Sequence, residues 1–217
     1  MSVILGRLSG AFLLNCELFA LTLLFALPLG LVVAFGSMSR CRLLSGAVKT
    51  FVWVIRGTPL MLQIIVIYLG PGLLGMANPW PSGSGGRMVA AVVAFAINYA
   101  AYFAEIYRGG IESMPVGQYE AAKVLGYSKG QTFFRIVFPQ VCKHILPAVT
   151  NEIITLVKDT SLAFVLAVTE MFTMAKQIAA AQTSMVPYIA AGIFYYVFNL
   201  LVAMIMEKIE EKLNYYH

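Results

Sequence analysis

From residue 8 to residue 36 the chain reads LSGAFLLNCELFALTLLFALPLGLVVAFG, with Glu17 its sole ionisable side chain. A helix needs about 20 mostly apolar residues to cross the hydrocarbon core of a bilayer, where backbone groups find no water and must bond to one another. The run exceeds the roughly 7–15 residues of a signal-peptide core and is expected to be a retained span. Four more runs qualify, at about residues 48–69, 88–107, 146–168 and 186–206. Only 12% of residues are charged, against about 25% in soluble domains, and mean hydropathy is +0.81. These numbers predict an all-α integral membrane protein, one domain over residues 1–217 with five transmembrane helices.

The connections between runs carry the topology. Residues 37–49 are short and basic, residues 70–87 form a Pro/Gly/Ser loop expected to be non-helical, and residues 108–145 are long and polar. Residues 169–185 are polar with alanines and are expected to form a short surface helix. If the long polar loop faces the cytoplasm, that side holds Arg40, Arg42, Lys49, Arg108, Lys123, Lys129, Arg135, Lys143, Lys208 and Lys212. The outer side then holds Arg7, Arg87 and Lys176. The positive-inside bias therefore predicts an outer N-terminus and a cytoplasmic C-terminus. It also accounts for the net charge of +5 as a basic cytoplasmic face, with no nucleic-acid partner. Trp53, Trp80, Tyr215 and Tyr216 are candidate interfacial anchors. Cys16, Cys41 and Cys142 are isolated and suggest neither a disulfide framework nor a zinc site.

Within the polar loop, VGQYEAAKVLG (residues 116–126) follows the breaker Pro115 and ends in Gly126, which suits the left-handed position after a helix. SKGQ then offers Ser128 as an N-cap with Gln131 three residues on, a capping-box pattern. A second helix is expected from Lys129 toward Val137, with Pro139 allowing continuation only through a kink. Tyr119, Val124, Leu125, Tyr127, Phe133 and Phe134 are costly to leave in water, and small Ala121 and Ala122 would let a partner approach closely. A compact helix with a small apolar face suits a groove on another protein.

The spacing Glu120-Ala121-Ala122, Gly126, Ile136 and Phe138-Pro139 resembles the EAA loop of ABC-importer permease subunits, with Phe138 where the pattern has Leu. RGTPLMLQ (56–63), AYFAEIYRGGIESMPVGQ (101–118) and LVKDTSLA (156–163) extend the likeness to the polar-amino-acid permeases, with Ala100 where Gly is expected. This resemblance implies a type I ABC importer transmembrane domain in a bacterial inner or plasma membrane. Its EAA loop, about residues 109–144, would be a cytoplasmic coupling element. It also implies partners: ABC ATPase subunits, a second permease subunit, an extracellular or periplasmic binding protein, and the amino-acid substrate. A homodimer is preferred over a pair of related permeases. Glu120, Ala121, Ala122, Gly126, Ile136 and Pro139 would couple to the ATPase. The chain lacks a G-x-x-x-x-G-K-[ST] phosphate loop. It is therefore not expected to be an enzyme or to hold a cofactor, with ATP and Mg on the partner ATPase.

Ionisable side chains within spans are costly and point to function. Here they are Glu17, Arg56, Glu105, Glu152, Lys158, Asp159 and Glu170. Asn98, Tyr102 and Glu105 share one helical face, as do Glu152, Thr155 and Asp159. Gly57-Thr58-Pro59 interrupts the second run and frees a carbonyl, which is tolerated where backbone lines a cavity. A zwitterionic amino acid needs partners of both signs. Gln63, Asn98, Tyr102, Asp159, Thr160 and Ser161 are the candidate path residues; the alternative is that they bond helices together. Arg56 and Glu105 are a candidate gate or ion pair, and Lys158 a candidate partner for an acid across the bundle. The alanines at 90, 91, 94, 96, 100, 101 and 104 suit close helix packing. The main alternative, a stand-alone secondary amino-acid transporter or channel subunit, would call for an internal repeat or more spans. An intramembrane enzyme would call for a catalytic cluster, and a purely structural subunit gives no reason for the EAA spacing.

Overall fold

A computed structural model of the protein describes residues 2–213, the side chain of Ser2 excepted. Its described residues form α1 (Ser2–Ser37), α2 (Arg42–Arg56), α3 (Leu60–Leu73), α4 (Ser84–Glu112), α5 (Val116–Val124), α6 (Lys129–Thr132), α7 (Phe138–Asp159), α8 (Met171–Gln182) and α9 (Val186–Leu213). A π-helical turn, Phe133–Val137, joins α6 to α7, and a 3-10 segment, Thr160–Leu166, follows α7. The candidate anchors Tyr215 and Tyr216 lie outside the described residues.

The first, third and fifth apolar runs are the helices Val3–Ser37, Ser84–Glu112 and Val186–Leu213, each long and apolar enough to cross a membrane. The second run differs from a single straight span. Helices α2 and α3 meet at a bend of 110° at the Gly57–Pro59 break. At about 1.5 Å per residue neither half alone reaches the roughly 30 Å of a hydrocarbon core. The fourth run corresponds to α7, which is less uniformly apolar: Lys143, Glu152, Lys158 and Asp159 lie along it.

The core forms where α1 lies along α4. The seven alanines of α4 are all buried, so their packing role is borne out. They admit Gly30 so closely that a Cβ added there would stand 2.9 Å from Phe103 Cβ and 3.1 Å from the Ala100 carbonyl oxygen. Where hydrocarbon surrounds the bundle, such close van der Waals contact, rather than expulsion of water, holds helices together. Phe95, Tyr99 and Phe103 of α4 are buried in one cluster with residues of α1, α3, α7 and α9.

Three local expectations are corrected. The loop 70–87 begins late, because α3 continues through Gly70, Pro71 and Gly72 before Gly75 ends it at φ 71°. The Gly75 N–H bonds the Gly72 carbonyl and the Met76 N–H the Pro71 carbonyl, so orphan acceptors of the last turn are met. The helix expected from Lys129 toward Val137 is α-helical only to Thr132 and then widens into the Phe133–Val137 turn, and Pro139 sits in the opening turn of α7, where a missing N–H costs little. Residues 169–185 do form a helix, α8, but it is not a free surface helix. Met171, Ala175, Ile178 and Ala179 are buried, and Met171, Ala175 and Ile178 share a cluster with Leu8 and Ala11 of α1 and Ala191 of α9.

Candidate functional site

The break between α2 and α3 builds the site. Pro59 cannot donate to the preceding turn, so carbonyls at the end of α2 need other donors. Thr58 Oγ1 donates to the Val54 carbonyl at 2.8 Å. Gln63 Nε2 donates to the Ile55 carbonyl at 2.7 Å and to Thr58 Oγ1 at 2.8 Å. Gln63 Oε1 in turn accepts from Asn98 Nδ2 at 2.9 Å, which ties the break to the middle of α4. Gln63 is thereby a clamp on the break, and it does not line the cavity beside it.

That cavity has a volume of about 300 Å³ and is lined by Thr58, Pro59, Leu60, Asn98, Tyr99, Tyr102, Glu152, Thr155 and Asp159. Of the predicted path residues it gathers Asn98, Tyr102 and Asp159, together with Glu152 and Thr155 from the shared face of α7. The buried Tyr99 donates its hydroxyl to Asp159 Oδ2 at 2.7 Å. Sequence reasoning missed Tyr99; its offset of three residues from Tyr102 places it on the same side of α4 and was the available signal. The lining is mixed in character: two carboxylates, an amide, two phenols and two threonines around the N-terminus of α3. By contrast, a groove of about 1080 Å³ between α1 and the first half of α4 is lined mainly by aliphatic side chains, with Glu17 and Arg87 at its polar points.

Other expected site residues lie elsewhere. Thr160 is buried and turned away from the cavity: its hydroxyl donates to the Val157 carbonyl at 2.8 Å and accepts from Asn15 Nδ2 at 3.0 Å. Ser161 donates to the Lys158 carbonyl at 2.9 Å and is likewise absent from the cavity lining. The 3-10 segment redirects the chain after Asp159, so residues consecutive in sequence separate in space. Arg56 and Glu105 form no ion pair. Arg108, one turn along α4, pairs with both Glu105 and Glu112, while the Arg56 guanidinium lies 5.3 Å from the centre of the Tyr102 ring, within cation–π range. The Lys158 side chain is exposed and crosses to no acid among the described ion pairs.

The second functional region is the segment from Pro115 to Pro139. Helix α5 ends in Gly126 at φ 78°; the Tyr127 N–H bonds the Ala122 carbonyl at 3.0 Å and the Gly126 N–H the Lys123 carbonyl at 3.1 Å. Both bonds of the Ser128–Gln131 capping box are present, at 3.3 and 2.9 Å. Helix α5 therefore ends, turns and restarts with its terminal groups satisfied, which gives a rigid unit. Val116, Tyr119, Val124 and Leu125 are exposed around it, with Val124 88% exposed. Glu120 and Ala121 are exposed too, but Ala122 is buried within the chain itself, so only Ala121 leaves room for a close partner. Ile136 and Pro139 are half-buried beside a cavity of about 900 Å³ that also meets Arg135, Lys143 and His144.

A family model described as "Binding-protein-dependent transport system inner membrane component" matches residues 26–215. The chain belongs to this family. The permease is the membrane-embedded subunit of an ABC importer, whose ATPase activity resides in a separate subunit. It is 36% identical over 212 residues to the L-cystine transport system permease protein TcyB of Bacillus subtilis, covering 96% of this chain and 87% of that protein. It is 37% identical over 199 residues to the nopaline permease NocM of Agrobacterium fabrum (89% and 82% covered). Identity to the arginine permease ArtQ of Bacillus subtilis is 35% over 203 residues (93% and 90% covered). Among solved structures, the crystal structure of an amino acid ABC transporter with histidines superimposes with a TM-score of 0.85 at 30% identity, covering 95% of this chain and 94% of the other. An inward-facing MetNI methionine transporter, at 16% identity and TM-score 0.72, shares the fold.

Proposed function

We propose that this permease carries a polar amino acid through the cavity at the α2–α3 break. The observation that supports it is the pairing, across about 300 Å³, of Glu152 and Asp159 with the N-terminus of α3. The substrate ammonium, and any cationic side chain, is bound by the Asp159 and Glu152 carboxylates. Its carboxylate sits at Thr58–Leu60, where the first N–H groups of α3 have no carbonyl a turn earlier and the helix dipole is positive. Broken helices in transporters present their half-helix N-termini to anionic groups in this way. Tyr99 holds Asp159, Arg56 lies against the Tyr102 ring, and Gln63 fixes the break. Relatives named for cystine and arginine transport are consistent with substrates that carry both charges.

The assembly follows from the same reading. In this reading the bent α2–α3 pair counts as one span and α7 as another, making five, and the distribution of basic residues supports a cytoplasmic α5–α6 unit, an outer N-terminus and a cytoplasmic C-terminus. There the exposed face of α5 enters an ATPase groove, and ATP and Mg bind on that partner. Two permease copies enclose the path, and a binding protein delivers the amino acid from outside. The test is ATPase stimulation and uptake by the reconstituted complex across a panel of L-arginine, L-cystine, L-glutamine and L-glutamate with the cognate binding protein. Uptake of at least one member that requires ATP supports the proposal. Uptake driven by an ion gradient without ATP rejects it.

A further inference from the structure

Behind the cavity lies a second polar cluster that the transport reading does not use. Asn15 of α1 is 1% exposed, within a mainly apolar helix. Its Nδ2 donates to Thr160 Oγ1 at 3.0 Å and to the Tyr195 hydroxyl of α9 at 2.9 Å, and its Oδ1 accepts from the Met171 N–H at 3.0 Å. Glu170, also 1% exposed, caps α8: it accepts from the Phe172 and Thr173 N–H groups at 2.7 Å each and from Thr173 Oγ1 at 2.8 Å. Asn15 Nδ2 and the Tyr195 hydroxyl approach the same carboxylate at 3.4 Å. One amide thus joins α1, the start of α8, α9 and the residue that follows Asp159.

The place where it acts is the point at which α7 changes to 3-10 geometry. A 3-10 segment has poorer internal hydrogen bonds than an α-helix and depends on outside contacts for its position. Thr160, its first residue, has such a contact through its hydroxyl, which accepts from Asn15 of α1 while donating locally to the Val157 carbonyl. The segment ends at Ala167 in the left-handed region, φ 53°, whose carbonyl accepts from Arg87 Nη1 at 3.4 Å. Asp159 stands immediately before this tethered segment, with its carboxylate on the cavity side.

We propose that Asn15, with Glu170 and Tyr195 behind it, is a positioning element for Asp159. The tie through Thr160 sets where α7 ends and hence where the Asp159 carboxylate stands in the cavity. None of the three touches the cavity; they act through the backbone of residues 159–160. The inference rests on the reading of Asp159 as a cavity-lining residue, but its test reads position rather than transport.

The test uses the permease assembled with its ATPase, with Cys16, Cys41 and Cys142 replaced by alanine, and a water-soluble cationic methanethiosulfonate as probe. Asp159→Cys reports the end of α7, and Thr155→Cys reports the same wall one turn earlier. Adding Asn15→Leu is expected to change the labelling rate at Asp159→Cys by about tenfold, the scale of one lost buried hydrogen bond. The rate at Thr155→Cys stays within about twofold. Thr160→Val, which removes the hydroxyl with its bonds to Asn15 and to the Val157 carbonyl, reproduces the effect and decides the matter if Asn15→Leu does not assemble; Thr160→Ser restores the original rate. Unchanged labelling at Asp159→Cys with Asn15→Leu or Thr160→Val overturns the proposal, as does an equal change at Thr155→Cys, which marks general loosening. A transport panel that finds no amino-acid substrate defeats the functional reading and leaves this result standing.

Discussion

Asp159 and Gln63 are both polar side chains in apolar surroundings, and the structure gives them different tasks. Asp159 faces the cavity with one carboxylate oxygen held by Tyr99. Asp159→Asn is expected to raise the KM for uptake about tenfold or more, since a hydrogen bond to a charged group contributes about 1.5–3 kcal/mol. Unchanged KM and unchanged substrate-stimulated ATPase would remove Asp159 from the path. Gln63 is spent on the carbonyls of the break. Gln63→Leu leaves the Ile55 carbonyl with only the longer 3.4 Å bond from Thr58 Oγ1, and a loss of roughly 1–3 kcal/mol is expected, read as a lower unfolding temperature of the purified complex. Sequence reasoning put both among the candidate path residues, with hydrogen bonding between helices as the alternative, and Gln63 follows the alternative. A side chain's span and depth are legible in the sequence; whether it points to a cavity or to a neighbouring carbonyl depends on how α2, α3 and α4 meet. The same limit explains Thr160, Ser161 and the Arg56–Glu105 pairing, since a change to 3-10 geometry and a competing Arg108 rotate these groups away.

At the scale of elements, the α5–α6 unit was the most legible part of the chain. Its signals are local: a proline before the helix, a glycine after it, a serine and glutamine three apart, each forming the bond its chemistry suggests. Gly126→Val places a β-branched residue at φ 78°, where a left-handed conformation costs about 1–2 kcal/mol. The variant is expected to insert normally into the membrane yet lose ATPase co-purification or transport-coupled hydrolysis. Glu120→Lys should do the same without strain, because Glu120 lies exposed on α5. Normal uptake by both variants would separate this loop from coupling. Less legible were the bend of 110° between α2 and α3 and the passage of the helix through Pro139. The break itself was legible at Gly57-Thr58-Pro59; its angle depends on Thr58 and Gln63 supplying the donors that Pro59 removes, and the passage at Pro139 on the wider turn before it.

For the whole molecule, the close fit of α1 on α4 is the feature on which the rest is built. Gly30→Leu is expected to disrupt it, because even a Cβ at this position meets Phe103 at 2.9 Å. Reduced yield of assembled complex is the outcome to look for, with Gly10→Leu, at an open position on the same helix, as the control. Topology is tested by single cysteines in the cysteine-free protein: Ser128→Cys is expected to label only from the cytoplasmic side and Met76→Cys only from outside, and the reverse pattern would invert the proposed orientation. The sequence by itself determined that the chain is an all-helical membrane protein with an EAA-type loop, because apolar run length, charge and turn chemistry are properties of short segments. Only the tertiary structure decided that the second run is bent, that Tyr99 joins the cavity while Thr160 leaves it, and that Asn15 ties three distant elements to the end of α7. Those outcomes arise where segments far apart in the chain compete for the same buried hydrogen bonds, and in a water-free interior each such bond is settled by which partner is within reach.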